Sequence, residues 1–273
     1  MLFRSIFLLL LLSLSTQVKG QDSPLFVIVS CSEGVKLDGQ DVSLGQQVIR
    51  NSGELTVPRR GYVGVINNEG LAFELTNSIS VKSVVDKVHA ENNRILFGAR
   101  YRESEIEIIG RTNNLYSQVV GDSILLALLW IDRQRQSNIS CTVKFLNMTD
   151  QSLREEMTVH NWKTIEIKSL LESDDVLFEI KSIGVMQREH FSVKSPEEDS
   201  KNKLKFDLSR IPQDISNEKE FQLAIYHLNH FYYDHLFLLY QLERSYQPQN
   251  KIFSNYIAQQ KKKYQFELFD FHK

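Results

Sequence analysis

The sequence predicts a mainly β protein with a C-terminal α segment, and two patterns support this prediction. Between residues 21 and 195, short apolar runs alternate with polar or glycine-containing turns, which is typical of small β-sandwiches. After residue 204, apolar residues recur at spacings of three and four, the period of an amphipathic helix. With 42% hydrophobic and 24% charged residues, the chain has the composition of a globular protein. We therefore expect two small β-sandwich or barrel-like modules followed by an antiparallel helical hairpin.

Residues 1–20 have the pattern of an export signal peptide. Arg4 supplies a positive charge, residues 6–14 form an apolar run broken only by Ser13, and residues 18–20 resemble a cleavage site. The alternative is an uncleaved anchor, but a spanning helix needs about 20 apolar residues and this run has roughly half that number. We expect cleavage before Gln21, no transmembrane segment after removal of the signal, and a periplasmic or extracellular, surface-associated location.

Residues 21–90 predict a first module made almost entirely of β-strands. Alternating residues on both sides of Asp38-Gly39 predict a hairpin, because this dipeptide favours a two-residue turn. Further apolar runs follow about every ten positions, separated by Pro58 and by the polar residues 67–70. This spacing is typical of a small sandwich or barrel.

The glycine-punctuated strands of the first module resemble a known family. The residues that make up the repeat are Gly34, Val35, Leu37, Gly39, Val42, Leu44, Gly45, Val48, Leu55, Thr56, Val57, Gly61, Tyr62, Val63, Val65, Gly70, Glu74 and Leu75. Together they resemble the FecR-like extracytoplasmic β-domain over residues 33–82. The resemblance implies a β-module of bacterial envelope proteins and transfers no catalytic residue. Sigma-factor regulators of that family also have a cytoplasmic domain and a membrane span, which we do not expect here, so no signalling mechanism is implied.

A second module is predicted beyond a junction at residues 91–118. Residues 119–195 contain four further apolar runs, and in most of them apolar side chains alternate with polar ones, which indicates a second β-sandwich. Trp162 directly precedes one of these strands, and we expect it to pack at the end of the sandwich.

A change of pattern marks the C-terminal part. Residues 196–203 are charged and begin with Pro196, which is typical of a linker. In the predicted helical hairpin of residues 204–273, one helix begins near Asn217 and ends near Pro248, and a second begins near Lys251. The pair resembles a single tetratricopeptide-like hairpin. Because such hairpins need neighbours to bury their apolar faces, we expect it to pack on the sandwich, on another chain or on a partner.

The two cysteines leave two alternatives open. Cys31 and Cys141 each lie on an apolar strand face, so both are expected to be buried. An exported protein meets an oxidising compartment, where the two could form one disulfide between the modules. The other alternative is a separate core cysteine in each module.

A group of histidines on the predicted helix is the only candidate metal site. His227, His230 and Asp234 lie at spacings of three and four, so one continuous helix would place them on one face. The sequence contains neither HExxH nor CxxC, and we expect a solvated or aromatic-packed face and no cofactor. His235 falls in the apolar seam, where a hydrogen-bonded core histidine is expected.

The charge pattern and the absence of catalytic motifs indicate a binding protein. The formal charge is −2, and the one dense basic run is at residues 261–263, so we expect no nucleic-acid partner. The sequence contains neither a GxSxG serine motif nor a glycine-rich phosphate loop, which argues against an enzyme.

We therefore predict a non-catalytic, exported protein of the bacterial envelope or surface that acts as a protein-interaction or scaffold module. The predicted helices carry more aromatic residues than one apolar seam can bury, and we expect Phe231, Tyr233, Phe237 and Tyr240 to contact a protein partner. The alternative is a secreted enzyme or carbohydrate-binding protein built on a β-sandwich. It predicts a cleft lined by Trp130, Trp162 and nearby acidic residues.

Overall fold

A computed structural model confirms the predicted fold class: the chain is mainly β, and most of its helices follow the strands. The structure describes residues 23–91, 106–109, 116–130, 139–171, 175–182, 188–213, 218–245, 250–269 and 271. The predicted signal at residues 1–20 lies outside the described residues, as does most of the predicted junction.

The first module consists of two four-stranded sheets that enclose one core. Its strands are β1 Phe26–Cys31, β2 Lys36–Leu37, β3 Gln40–Asp41, β4 Gln47–Val48, β5 Glu54–Thr56, β6 Val63–Asn67, β7 Ala72–Leu75 and β8 Ile79–Ser80. One sheet has the order β4-β1-β6-β7 and the other β3-β2-β5-β8. A helix that the sequence reasoning missed, α1 (Val81–Glu91), follows directly.

The predicted hairpin at Asp38-Gly39 is confirmed. Lys36 pairs with Asp41 and Leu37 with Gln40, and the two turn residues have φ angles of +52° and +78°. Positive φ at both central positions is the requirement of a type I′ turn, for which this dipeptide is suited.

Strand β1 is buried on both faces, and this determines how the module meets the rest of the chain. Phe26 and Ile28 face the module's own core, whereas Val27 and Val29 on the opposite face join the core of the C-terminal helices. The sheet β4-β1-β6-β7 is therefore covered on its outer side, which explains an apolar run without polar alternation.

The second module is one eight-stranded sheet with the order β10-β16-β15-β12-β13-β14-β11-β9. Its elements are β9 Ile106–Ile108, β10 Tyr116–Gln118, β11 Ser123–Trp130, β12 Ser140–Asn147, β13 Leu153–His160, β14 Trp162–Glu166, helix α2 Lys168–Leu171, β15 Val176–Ser182 and β16 Arg188–Lys194. Most of its core comes from the sheet and the residues that flank its strands.

The described parts of the predicted junction belong to the second module. Strand β9 pairs with β11, and β10 pairs in parallel with β16. Ile106 and Ile108 are buried in the module's core, and this burial accounts for their place in the sheet.

The C-terminal part is a layer of helices. They are α3 Glu198–Ser209, α4 Glu218–Leu228, α5 Tyr232–Ser245 and α6 Lys251–Lys263, followed by a 3₁₀ turn at Phe266–Leu268. The charged segment 196–203 is therefore not an extended linker, because α3 begins at Glu198. Two acidic residues in the first turn of α3 are favourable at a helix N-terminus.

The helix predicted from Asn217 to Pro248 is broken into α4 and α5. The N–H of Phe231 donates to the carbonyl of Tyr226, and the N–H of His230 donates to that of His227. These two bonds form a Schellman turn, in which His230 takes the left-handed conformation with φ of +64°. No glycine occurs at residues 229–231, and the helical spacing of apolar residues continues across them. The sequence pattern therefore does not indicate the break.

We expect the substitution His230→Gly to stabilise the protein. A left-handed conformation costs a non-glycine residue about 1–2 kcal/mol, and glycine avoids this cost. The gain is reduced by loss of the contact between His230 Nδ1 and the Tyr232 hydroxyl, which are 2.8 Å apart. Chemical denaturation should show a higher midpoint for His230→Gly. The variant His230→Ala is the control, because it also loses the contact but keeps the left-handed cost. An equal or lower midpoint for glycine than for alanine would contradict the turn.

The helical layer lies between the two β-modules and is buried against both. Helices α4 and α6 pack on the first module, where a Cβ on Gly45 would lie 3.6 Å from the Phe221 ring and Asn255 Nδ2 donates to the carbonyl of Asn68 at 2.6 Å. Helix α5 packs on strand β11 of the second module. The sequence predicts that the hairpin packs on the sandwich, on another chain or on a partner. In the structure it packs on the two β-modules of its own chain. Among the described helices, none has the length and apolar character needed to cross a membrane.

Candidate functional site

An open groove lies where helix α5 meets the outer face of strands β11 and β14. Its volume is about 710 Å³, within the range of known ligand-binding clefts. The described residues that line it are Ser123, Thr164, Glu166, Lys219, Phe237, Tyr240 and Gln241. Carboxylate, ammonium, hydroxyl, amide and aromatic groups thus share one surface.

Strand register and helix periodicity bring these residues together. Ser123 of β11 is paired with Glu166 of β14, so both side chains point to the same side of the sheet. On α5, Phe237, Tyr240 and Gln241 lie at spacings of three and four and face that sheet. Lys219 reaches the groove from the first turn of α4.

Three of the four predicted partner-binding aromatics are in the interior. Phe231, Tyr233 and Tyr240 are 1%, 0% and 7% exposed, whereas Phe237 is only half-buried. Tyr233 stacks on Phe191 with ring centroids 5.9 Å apart and is the helical contribution to the core of the second module. The helical layer has a β-module on each side and therefore buries more aromatic residues than a single apolar face could. Partner contact stays a prediction for Phe237 and for the edge of Tyr240 in the groove.

Trp162 begins strand β14 and packs against the helical layer, whereas we expected it to pack at the end of the sandwich. It contacts Tyr240 and Phe271, with ring centroids 5.5 and 5.2 Å away. The Trp130 side chain lies outside the described residues. The described tryptophan is therefore enclosed by aromatic neighbours and does not line the groove.

The candidate metal ligands His227, His230 and Asp234 do not converge. The break between α4 and α5 places His227 and Asp234 on different helices, with His230 in the turn. In the described parts of the chain, no three histidine, cysteine, aspartate or glutamate residues are grouped as a metal site requires.

Asp234 instead fastens α5 to the second module. Its Oδ1 accepts the N–H of Gly121 at 2.6 Å, and its Oδ2 accepts that of Val120 at 3.1 Å. Burial raises the pKa of this carboxyl to about 7, and the two backbone bonds oppose the increase. A Cβ on Gly121 would lie 2.7 Å from Oδ1, so glycine permits this close approach.

His227 and His235 lie together where α4, α5 and α6 meet. Their ring centroids are 5.0 Å apart, and the His227 Nδ1 lies 3.2 Å from the Tyr256 hydroxyl of α6. His235 is fully buried, and its Nδ1 lies 2.9 Å from the carbonyl oxygen of Leu223. His235 is therefore a hydrogen-bonded core histidine, as expected. Burial lowers its pKa to about 4 and holds the pKa of His227 well below its ordinary value.

A second polar cluster joins α3 to the first module. The Tyr62 hydroxyl donates to Asp207 Oδ1 at 2.6 Å, and Asn229 Nδ2 donates to Oδ2 at 3.1 Å. Lys203 pairs with Glu74 at 2.7 Å, and its ammonium lies 4.3 Å from the centre of the Tyr62 ring. Burial raises the pKa of Asp207, while the bonds from Tyr62 and Asn229 lower it. The cluster connects α3 with the residue before β6, with β7 and with the turn after α4.

The two cysteines are free thiols in different cores. Cys31 is buried in the first module and Cys141 in the second. Burial raises the pKa of both thiols. Of the two alternatives, the structure has the separate core cysteines and not the disulfide.

Comparison with known proteins identifies no relative. No protein-family model matches the chain, and neither a curated protein nor a solved structure matches it. The resemblance to FecR-like domains therefore stays a prediction.

Proposed function

We propose that this chain is a non-catalytic, exported protein of the bacterial envelope or surface that holds a protein partner in the groove between α5 and strands β11 and β14. The observation that carries the proposal is the groove itself. It is the place where Phe237 keeps part of its ring exposed while most aromatic residues around it are buried. Half-exposed aromatic residues in a concave surface are typical binding anchors.

The charges of the groove favour a polypeptide partner over an apolar ligand. Lys219 and Glu166 place opposite charges on the same surface, and Thr164 and Gln241 add hydrogen-bonding groups. An extended segment with one acidic and one basic side chain and an aromatic or apolar residue between them is complementary to this arrangement.

The buried titratable groups support binding over catalysis. Asp234 and Asp207 accept hydrogen bonds that join elements of the fold, and His235 is bonded to a backbone carbonyl. None of these three is among the described lining residues of the groove. The shifted pKa values of these three groups therefore accompany structural roles, and structural hydrogen-bond networks commonly shift pKa values.

Site-specific photocrosslinking tests the proposal. Phe237 is replaced by a benzophenone amino acid in the full chain, which is expressed in its source organism and illuminated in intact cells. We expect a single covalent adduct with an envelope protein. The matched control carries the same group at Met148, which is 44% exposed and lies in the turn between β12 and β13, outside the described lining of the groove.

A charge reversal separates specific docking from chance contact. The substitution Lys219→Glu should reduce the adduct at position 237 by at least about tenfold, which corresponds to about 1.4 kcal/mol of binding free energy. Equal adducts from positions 237 and 148, or an adduct that survives Lys219→Glu, would contradict the proposal. Without an adduct, a glycan array would test the carbohydrate-binding alternative, and binding abolished by Phe237→Ala would replace our proposal with that one.

A further inference from the structure

The helical layer consists of two parts that belong to different β-modules. Helices α4 and α6 are attached to the first module: a Cβ on Gly64 would lie 2.6 Å from Leu228, and one on Gly70 would lie 2.4 Å from the backbone of Asn255. Helix α5 is attached to the second module through Asp234, through Tyr233 on Phe191 and through Tyr240 on Trp162. A boundary between the two halves of the molecule therefore runs through the helical layer.

We call this boundary the seam and define it by four side chains: His227 of α4, His235 of α5, Tyr256 of α6 and Tyr264 after α6. His235 lies at its centre, with ring centroids 5.0 Å from His227, 6.3 Å from Tyr256 and 5.8 Å from Tyr264. The seam thus contains the imidazoles of His227 and His235 and lies where α4, α5 and α6 meet.

The seam holds its imidazoles in the neutral form. His235 has no exposed surface, and burial lowers its pKa more than the hydrogen bonds to the Leu223 carbonyl and to Gln260 raise it. The charged and titratable groups that face the two rings are His230, Tyr232, Tyr256, Tyr264 and Lys263. No carboxylate is among these described neighbours, and Lys263 adds a positive charge. A second cation at the seam is therefore repelled and desolvated.

A short turn lies directly beside the seam. The Schellman turn at residues 229–231 is the short connection between α4 and α5, and His230 in it has a positive φ. A change of backbone angles at a few residues of such a turn is sufficient to reorient two packed elements.

We propose that the seam is an acid-sensitive joint: under mildly acidic conditions, protonation of His227 and His235 loosens α4 and α6 from α5, and the two β-modules gain freedom to move about the turn at residues 229–231. Histidines buried in the neutral form are a known basis of such switches. The joint would give the protein two arrangements, one at neutral and one at acidic pH.

The sign of the effect follows from the shifted pKa values. His235 has a pKa of about 4 in the fold and an ordinary value of 6.5, so its stabilising contribution is present above pH 6.5 and is lost as the pH falls towards 4. Asp234 acts in the opposite direction, because its pKa is raised from 3.8 to about 7 and its contribution increases as the pH falls through this range. Lowering the pH therefore relieves the desolvation cost of the buried Asp234 carboxylate while it weakens the seam, and we expect the opening to begin at the seam.

Hydrogen exchange of residues 21–273 at pH 7.5 and 5.0 tests this joint without any partner. After correction for intrinsic exchange rates, we expect opening of the α4 and α6 amides to increase by at least about tenfold at pH 5.0, with little change in α5. The variant His227→Gln/His235→Gln should reduce this increase to less than about twofold. His160→Gln, at an exposed position of β13, is the control and should behave like the unchanged protein.

Titration of the imidazoles by NMR in the unchanged protein tests the proposal even if the double variant does not fold. We expect the ring signals of His235 in the unchanged protein to show no protonation until the seam opens. Titration of His235 near pH 6.5 with unchanged exchange in α4 and α6 would overturn the proposal, as would uniform loosening of all helices.

Discussion

The substitution Gly70→Ala is expected to destabilise the protein by at least about 3 kcal/mol, because two penalties combine at this position. Gly70 has a φ of +84°, which costs a residue with a Cβ atom about 1–2 kcal/mol. The added Cβ would also lie 2.4 Å from the carbonyl carbon of Asn255 and 2.5 Å from the nitrogen of Tyr256, both in α6. Backbone atoms cannot rotate away, so α6 must shift from the first module. Chemical denaturation measures the loss.

Gly39→Ala is the matched control for this prediction. Gly39 has a similar φ of +78°, but a Cβ atom there would meet nothing within 4 Å. We expect it to cost only about 1–2 kcal/mol. The difference between the two variants then reports the contact between the β6–β7 turn and α6. Equal losses would show that α6 does not lie against this turn.

The substitution Tyr233→Ala should cost about 3–5 kcal/mol of unfolding free energy, the usual range for removing a fully buried aromatic side chain. Tyr233 is 0% exposed and extends from α5 into the core of the second module, where it stacks on Phe191. Its removal leaves a cavity between the helical layer and the sheet. Thermal or chemical denaturation followed by circular dichroism gives the magnitude.

Phe237→Ala, on the same helix, compares the loss of a groove side chain with the loss of an interior side chain. Phe237 is half-buried and lines the groove, so its removal should cost about 1 kcal/mol or less. The same variant should lose the partner. If Phe237→Ala proves more destabilising than Tyr233→Ala, the orientation of α5 described above is incorrect.

Local sequence signals predicted those parts of the fold that depend on neighbouring residues. Asp38-Gly39 determines its own turn, and alternation of apolar and polar residues marks β12 and β15, so the mainly β class follows from the sequence. The break at residues 229–231 has no such signal, because histidine occupies the left-handed position usually taken by glycine. Helix α3 also lacks a distinctive local signal, because its charged residues fit an extended linker as well as a helix.

The candidate site depends on long-range pairing that sequence periodicity does not contain. Glu166 and Ser123 become neighbours only through the antiparallel register of β11 and β14, and Lys219 joins them only because α4 packs beside α5. The burial of Phe231, Tyr233 and Tyr240 likewise requires that both β-modules cover the helical layer. A single helical face in the sequence cannot indicate how many surfaces pack against it.

The central structural claim is that the helical layer forms a shared core and makes the two β-modules one folding unit. Differential scanning calorimetry of residues 21–273 at neutral pH tests it most directly. We predict one transition in which the calorimetric and van't Hoff enthalpies agree, as for a two-state protein. Two separated transitions, or a calorimetric enthalpy about twice the van't Hoff value, would show that the modules unfold independently and would contradict the shared core.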